Sequence, residues 1–146
     1  FLMGKDARTG ELTDFGGGRK KTEDTLTAAK REFMEETNYL FNCEDINLNN
    51  KLAIVDNKKY MAIIFYPVSP KWLKAANVMF EKFKSICFPK SNDEISSLVW
   101  MTSDTFVKTI KNRTDKSMWV KVKNFMLSYV DNFETMISDL KKFSIT

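Results

Sequence analysis

Three glutamates, Glu32, Glu35 and Glu36, lie three and four positions apart in the first quarter of the chain. Residues at these spacings are neighbours on a helix, and like charges there destabilise it by roughly 0.2–0.5 kcal/mol per pair. A divalent cation would offset this repulsion, because Mg²⁺ takes carboxylate oxygens as ligands. The alternative interpretation is a solvated acidic face that Lys30 and Arg31 partly neutralise.

The residues before the glutamates predict a loop followed by a helix. Three consecutive glycines, Gly16, Gly17 and Gly18, would let a ligand such as a phosphate approach the main chain closely. Asp24 is a suitable N-cap for a helix over about residues 25–37. The buried stripe of this helix is predicted to consist of Leu26, Ala29 and Phe33.

The same segment follows a longer pattern, G-x5-E-x7-R-E-U-x-E-E-x-G-U, in which U is a bulky apolar residue. The matching positions are Gly17, Glu23, Arg31, Glu32, Phe33, Glu35 and Glu36. This pattern resembles the signature of the Nudix hydrolases. Asn38 departs from it where glycine is usual, and Tyr39 departs where an aliphatic residue is usual. Asparagine tolerates the left-handed conformation that often follows a helix, so the first departure has a physical reason.

The resemblance implies an enzyme that hydrolyses a pyrophosphate bond in a nucleoside diphosphate linked to another moiety. The implied cofactor is Mg²⁺ or Mn²⁺, bound by Glu32, Glu35 and Glu36. Glu35 and Arg31 would belong to the catalytic group, and Arg31 would also brace the loop against the helix together with Glu23. The chain has no histidine, so carboxylates must perform the proton transfers.

A further acid outside this segment could be the general base. Glu94 precedes a predicted strand and resembles the outside glutamate that some Nudix enzymes use. It could equally be an ordinary exposed acid in a loop, and Asp93 is a weaker substitute.

The charge of the chain indicates anionic partners. Lysine and arginine number 23 against 19 acids, which gives a net charge of +4. Arg19 and Lys20, with the neighbouring Lys21, lie in the glycine loop and could bind phosphates beyond the pair that is cleaved. With the three glycines they form the predicted substrate-binding group. The expected substrate therefore carries several phosphates, as in a dinucleoside polyphosphate, an inositol pyrophosphate or the 5′ end of a capped RNA.

Other functions stay open at this point. The Lys- and Asn-rich composition is like that of proteins from AT-rich genomes, including large DNA viruses. Some of these viruses encode decapping Nudix enzymes, so a viral-type mRNA decapping enzyme is one alternative. A non-catalytic Nudix-fold module that binds a nucleotide or RNA is another, and a domain that docks through its C-terminal helix is a third. Aromatic candidates for contacting a base are Tyr60, Phe65, Tyr66, Trp72 and Phe88.

The predicted fold is a single α/β domain over residues 1–146, an α/β/α sandwich of the Nudix type with a mixed central sheet. After a first strand and turn, the pattern predicts strands over about residues 51–56, 60–66 and 95–101 and helices over about 70–84, 103–112 and 116–143. The turn of the hairpin is expected at Asn57 and Lys58. The helix over 70–84 is expected to resemble a lid.

Three further expectations concern the chain as a whole. A portion before Phe1 is expected, because Nudix enzymes usually have another strand there. No apolar stretch has membrane-spanning length and no secretory signal is present, so a cytoplasmic protein without membrane contact is expected. Cys43 and Cys87 match no metal or redox spacing and are predicted to be reduced thiols, although two cysteines far apart in the sequence could in principle pair. The oligomeric state is left open.

Overall fold

The chain begins with a hairpin that forms most of a three-stranded antiparallel sheet. The computed structural model describes residues 1–43, 53–56, 61–86 and 94–128 together with 135 and 138. The central strand of this sheet is β1 (Leu2–Asp6). It pairs with β2 (Leu12–Thr13) on one side, with Gly4 opposite Thr13. The turn between them is closed by Asp6, whose Oδ1 accepts hydrogen bonds from the backbone N–H groups of Arg8 and Thr9.

Two further strands form a separate hairpin. β3 (Ala53–Asp56) and β4 (Met61–Ile64) are antiparallel, with Ala53 opposite Ile64. This confirms the two predicted strands within the described residues. Phe65 and Tyr66 lie beyond the end of β4, whereas residues 51, 52 and 60 and the predicted turn at Asn57 and Lys58 lie outside the described residues.

The third strand of the first sheet comes from the second half of the chain. β5 (Ile95–Trp100) pairs with β1 in antiparallel register, with Leu2 opposite Trp100, and the register shifts between Lys5 and Asp6. All the strand pairs in the described residues are antiparallel, and one isolated parallel bridge joins Leu12 to Met118. The sheet was predicted to be mixed. In the part of the chain that the structure describes, its parallel component consists of this single bridge.

Four helices complete the described elements: α1 (Thr25–Glu36), α2 (Trp72–Ile86), α3 (Ser103–Lys111) and α4 (Val120–Leu127). A mixed fold of helices and strands is confirmed. α2 is a core helix rather than a lid, because Ala76 and Phe80 on it are fully buried and Asn77 is hydrogen-bonded to both the N–H and the carbonyl of Leu98 in β5. None of the described helices is both long and apolar enough to cross a membrane.

The C-terminal helix begins later than predicted. Residues 116–119 are not helical, because the segment around Met118 pairs with Leu12 of β2. The Leu12 N–H donates to the Ser117 carbonyl at 2.7 Å, and the Trp119 N–H donates to the Leu12 carbonyl at 2.8 Å. Trp119 precedes α4 and is 40% exposed, so its predicted place in the core is wrong, whereas Val122 and Met126 are buried as predicted. The rest of the predicted apolar face, from Tyr129 onwards, lies outside the described residues.

The apolar side chains form two cores on either side of the first sheet. Leu2 packs against one core and Met3 belongs to the other, as expected for consecutive residues of a strand. The first core contains Ala76 and Phe80 of α2, and the second contains residues of α3 and α4 such as Phe106 and Val122. Helices therefore pack on both sides of the sheet.

Candidate active site

The glycine loop and α1 have the local structure that the sequence predicts. Asp24 is the N-cap, and its carboxylate accepts a hydrogen bond of 2.7 Å from the Thr27 N–H. Beyond the last helical residue, Asn38 has a φ of 53° and Tyr39 a φ of 58°, so the left-handed conformation expected at Asn38 is confirmed. The Asn38 amide also donates to the Phe80 carbonyl at 3.3 Å, which ties the end of α1 to α2.

Arg31 links the glycine loop to the helix. Its guanidinium donates two hydrogen bonds to Glu23, from Nε at 2.6 Å and from Nη2 at 3.1 Å, and Nη2 also donates to the Gly18 carbonyl at 3.0 Å. A two-point contact between a guanidinium and a carboxylate is among the strongest hydrogen-bonded pairs in proteins. It lowers the pKa of Glu23 to about 2, and the Lys20 backbone N–H contributes in the same direction.

The same guanidinium also contacts two of the three clustered glutamates. Arg31 Nη1 lies 2.8 Å from Glu32 Oε1 and 3.2 Å from Glu35 Oε2. These bonds raise the pKa of Arg31, with the hydrogen bond to Glu23 as the largest cause. Each of these two glutamates therefore has one oxygen in contact with the guanidinium, so Arg31 orients both carboxylates.

Glu36 lies in a different environment, because its side chain is almost fully buried. Only 6% of the residue is exposed, and its Oε2 accepts a hydrogen bond of 2.8 Å from the Gly16 N–H. Burial raises the pKa of Glu36 to about 9, and the hydrogen-bonded carboxyl of Glu94 and the charge of Glu32 add to the rise, while the Gly16 N–H opposes it. In the absence of a cation, this carboxyl group is therefore protonated at neutral pH.

The structure brings Glu94 to Glu36 through the first sheet. Glu94 directly precedes β5, and its carbonyl accepts a hydrogen bond of 2.8 Å from the Ala7 N–H at the end of β1. Its exposed side chain forms a hydrogen bond with Glu36. The two carboxyl groups are therefore close enough to contact the same ligand. Asp93 lies outside the described residues.

Gly17 is required by the position of Glu32. A Cβ atom added to Gly17 would lie 2.5 Å from Glu32 Cδ and within 2.7 Å of both its oxygens, so any side chain at this position would displace the Glu32 carboxylate. At Gly18, by contrast, an added Cβ would meet nothing within 4 Å. The exposed residues that follow, Arg19, Lys20 and Lys21, place positive charge beside this contact.

The donor set of this cluster suits a hard divalent cation. Glu32, Glu35, Glu36 and Glu94 offer only carboxylate oxygens, which Mg²⁺ and Mn²⁺ prefer. A cation would offset the burial and the neighbouring acids that raise the pKa of Glu36. In the described part of the chain, no group of three or more acids already has the arrangement of a metal site. Because Arg31 contacts Glu32 and Glu35, cation binding requires these side chains to reorient.

The predicted buried stripe of α1 is not fully buried. Leu26, Ala29 and Phe33 are half-buried, and the buried residues of the helix are Ala28 and Glu36. For Ala29 and Phe33 the physical reason is a cavity of about 380 Å³, which they line on the face of α1 that adjoins the glutamates. Phe33 packs edge-on against Phe15 there, with ring centroids 5.6 Å apart.

The sequence interpretation missed part of this cavity. Asp14, Phe15, Lys30 and Trp100 line it, and the available signal was the position of Asp14 and Phe15 directly before the glycines. Among the aromatic candidates, Phe65 and Tyr66 line the cavity, whereas Trp72 packs against Phe41. Tyr60 and Phe88 lie outside the described residues.

Comparison with known proteins does not identify the chain: no protein family, no curated protein and no solved structure matches it.

Proposed function

We propose that the protein is a divalent-cation-dependent hydrolase of the Nudix type that cleaves a pyrophosphate bond. The observation that carries this proposal is the buried Glu36 carboxyl, hydrogen-bonded to Glu94 and held by the N–H of the glycine loop, with Glu32 close by. Several acids close together repel one another and destabilise the fold. Groups with strongly shifted pKa values are typical of functional sites. The helices on both sides of the first sheet support the corresponding α/β/α sandwich.

The side chains that would hold the cation are Glu32, Glu35, Glu36 and Glu94. When bound there, Mg²⁺ or Mn²⁺ would supply Lewis-acid activation of a phosphoryl oxygen and lower the pKa of a bound water. No other component of the reaction needs a cofactor.

The chain itself supplies orientation and proton transfer. Gly16 fixes Glu36 through its N–H. Arg31 ties the glycine loop to α1 through Glu23 and Gly18, and it balances the charge of Glu32 and Glu35 in the cation-free protein. Arg31 is therefore a positioning residue in this proposal. Glu94 is exposed and hydrogen-bonded to Glu36, so it can accept the proton of the attacking water and pass it to solvent.

The glycine loop supports a substrate with more than two phosphates. Residues 16–21 are exposed and include Arg19, Lys20 and Lys21, so phosphates beyond the cleaved bond can lie along the loop. A dinucleoside polyphosphate, an inositol pyrophosphate and the 5′ end of a capped RNA all meet this requirement.

The direct test is a substrate panel with and without a divalent cation. The panel contains a dinucleoside polyphosphate, a diphosphoinositol phosphate, capped RNA, a nucleoside diphosphate sugar and a nucleoside triphosphate, each with Mg²⁺, Mn²⁺ or EDTA. We expect cation-dependent release of two phosphorylated products, one of which takes up ¹⁸O from labelled water. Folded protein that hydrolyses none of these compounds would overturn the proposal, and RNA binding without turnover would favour a non-catalytic module.

Replacing Gly17 with alanine is expected to reduce the cation-dependent turnover by about 10- to 100-fold, because displacing a reacting group by an ångström is sufficient for such a loss. The new Cβ cannot coexist with the Glu32 carboxylate, which must move away from the loop. The measurement is kcat and KM on the best substrate of the panel, together with the thermal midpoint.

Gly18→Ala is the matched control, because its new Cβ meets nothing within 4 Å. We expect this variant to resemble the unmodified protein. Equal losses in both variants would show that the backbone of the loop, rather than the contact between Gly17 and Glu32, determines the effect.

A further inference from the structure

The cavity beside α1 has the size and lining of a small-molecule site. Its volume of about 380 Å³ falls in the range of roughly 300–1,000 Å³ that is typical of ligand pockets. Aromatic side chains line it from several parts of the chain, among them Phe15 after β2, Phe33 in α1, Tyr66 after β4 and Trp100 in β5. Flat rings stack well on such walls.

The aromatic walls are held in place by their own contacts. Phe33 packs against Phe15, and it also lies 5.2 Å from Tyr66, centroid to centroid. The Tyr66 hydroxyl donates to the Asn42 carbonyl at 3.2 Å, which fixes the ring from outside the cavity. These contacts hold the rings of Phe15, Phe33 and Tyr66 in place at the wall of the cavity.

One acidic group, Asp14, lines this otherwise mostly apolar space, in which Lys30 is the other charged side chain. The Asp14 carboxylate accepts a hydrogen bond of 3.2 Å from the Thr13 hydroxyl, and burial raises its pKa. Asp14 as a residue is half-buried, and a carboxylate that is partly removed from water is stabilised by additional hydrogen-bond donors. A ligand with two adjacent N–H groups would supply such donors, because the two oxygens of a carboxylate can each accept one.

The cavity adjoins the carboxylate cluster. Asp14 lies two residues before Gly16, whose N–H holds Glu36. On α1, Ala29 and Phe33 line the cavity, while Glu32 and Glu36 lie on the adjoining face, as the 3.6-residue period requires. One ligand can therefore place a ring in the cavity and its phosphates on the glycine loop.

We propose that the cavity binds the guanine base of a nucleotide substrate, with Asp14 accepting hydrogen bonds from the base. Among the common bases, only guanine presents two neighbouring N–H donors, N1–H and the 2-amino group, on its Watson–Crick edge. Adenine and cytosine each present an amine beside a ring acceptor, and uracil presents one N–H between two carbonyls. An ionised Asp14 therefore distinguishes guanine from the other three.

This inference rests on the proposed function for the position of the phosphates, and it narrows the substrate class. A dinucleoside polyphosphate and a capped RNA end carry a base that can enter the cavity, whereas an inositol pyrophosphate does not. Guanine nucleotides with several phosphates are therefore the expected substrates.

The test measures binding separately from catalysis. Calorimetric titration of the full chain with guanosine 5′-monophosphate and with adenosine 5′-monophosphate, both in EDTA, should show tighter binding of the guanine nucleotide by roughly 5- to 100-fold, as for a two-point contact between a side chain and a base. Asp14→Asn should abolish this preference, because an amide offers one acceptor and one donor. Ala29→Leu should weaken both nucleotides, since leucine is a good helix former that fills the cavity.

The outcomes separate this inference from the proposed function. Equal binding of both nucleotides, or no binding of either, overturns the guanine site even if the substrate panel shows cation-dependent hydrolysis. A guanine preference without any turnover supports the site and overturns the hydrolase. If Asp14→Asn does not fold, as judged by its circular dichroism, the ratio in the unmodified protein and the effect of Ala29→Leu decide the question.

Discussion

Replacing Glu36 with glutamine is expected to reduce cation-dependent turnover by at least about 100-fold, because a metal ion typically contributes several kcal/mol of transition-state stabilisation. The replacement preserves the geometry of the free protein. The amide oxygen can still accept the hydrogen bond of the Gly16 N–H, and the amide NH₂ can donate to Glu94 as the protonated carboxyl does. Glutamine lacks the negative charge of the Glu36 carboxylate and therefore binds a cation more weakly. The stabilisation of the folded protein by Mn²⁺ should disappear together with the activity.

The measurement combines steady-state kinetics with thermal unfolding over a range of Mn²⁺ concentrations. Glu81→Gln is the matched control, because Glu81 is an exposed glutamate of α2 that takes no part in the cluster. This control should retain both activity and stabilisation by Mn²⁺. If Glu36→Gln keeps the turnover of the unmodified protein, the carboxylate cluster is not the catalytic centre.

Without a divalent cation, the protein is expected to lose stability as the pH rises from 5 to 8. The pKa of Glu36 is about 9 in the folded protein, whereas its ordinary value, which applies to the unfolded chain, is 4.5. Between pH 4.5 and pH 9 the unfolded chain therefore loses a proton that the folded protein retains. The stability that Glu36 provides is complete below about pH 4.5 and is lost as the pH approaches 9. The expected decrease in the free energy of unfolding between pH 5 and pH 8 is roughly 4 kcal/mol.

Urea unfolding in EDTA at several pH values measures this slope. Glu36→Gln should remove most of it and should be more stable than the unmodified protein at pH 8, while the two should be similar at pH 5. Asp14 also has a raised pKa and leaves a residual slope of the same sign. The carboxyls with lowered pKa values, such as Glu23 and Asp24, act below this window. Parallel profiles for both proteins would contradict the burial of a protonated Glu36.

The elements whose signals are local could be predicted from the sequence. Asp24 caps α1 and Asn38 adopts the left-handed conformation, because both depend on residues within one turn of the helix. The spacing of the clustered glutamates likewise placed them on neighbouring positions of α1. The helix boundaries at Thr25 and Ser103 were correct for the same reason.

The remaining features depend on contacts between distant segments. The sequence left Glu94 undecided between a general base and a loop acid, and only the pairing of β1 with β5 brings it to Glu36. Residues 116–119 satisfy a helical pattern, but the backbone of β2 offers them hydrogen bonds that the pattern does not reveal. The half-burial of Ala29 and Phe33 also escapes a periodicity argument, because an apolar stripe has the same spacing whether it meets a core or a cavity.

The guanidinium of Arg31 joins Glu23, Glu32, Glu35 and the Gly18 carbonyl in one network. Substitutions at these positions will therefore show strong epistasis, since the first change removes contacts that a second change can no longer break. A combinatorial library over these sites should yield few working combinations, and those that survive should retain or lose the acidic residues together. Evolutionary drift in this segment is accordingly expected to proceed by compensated pairs and not by independent single steps.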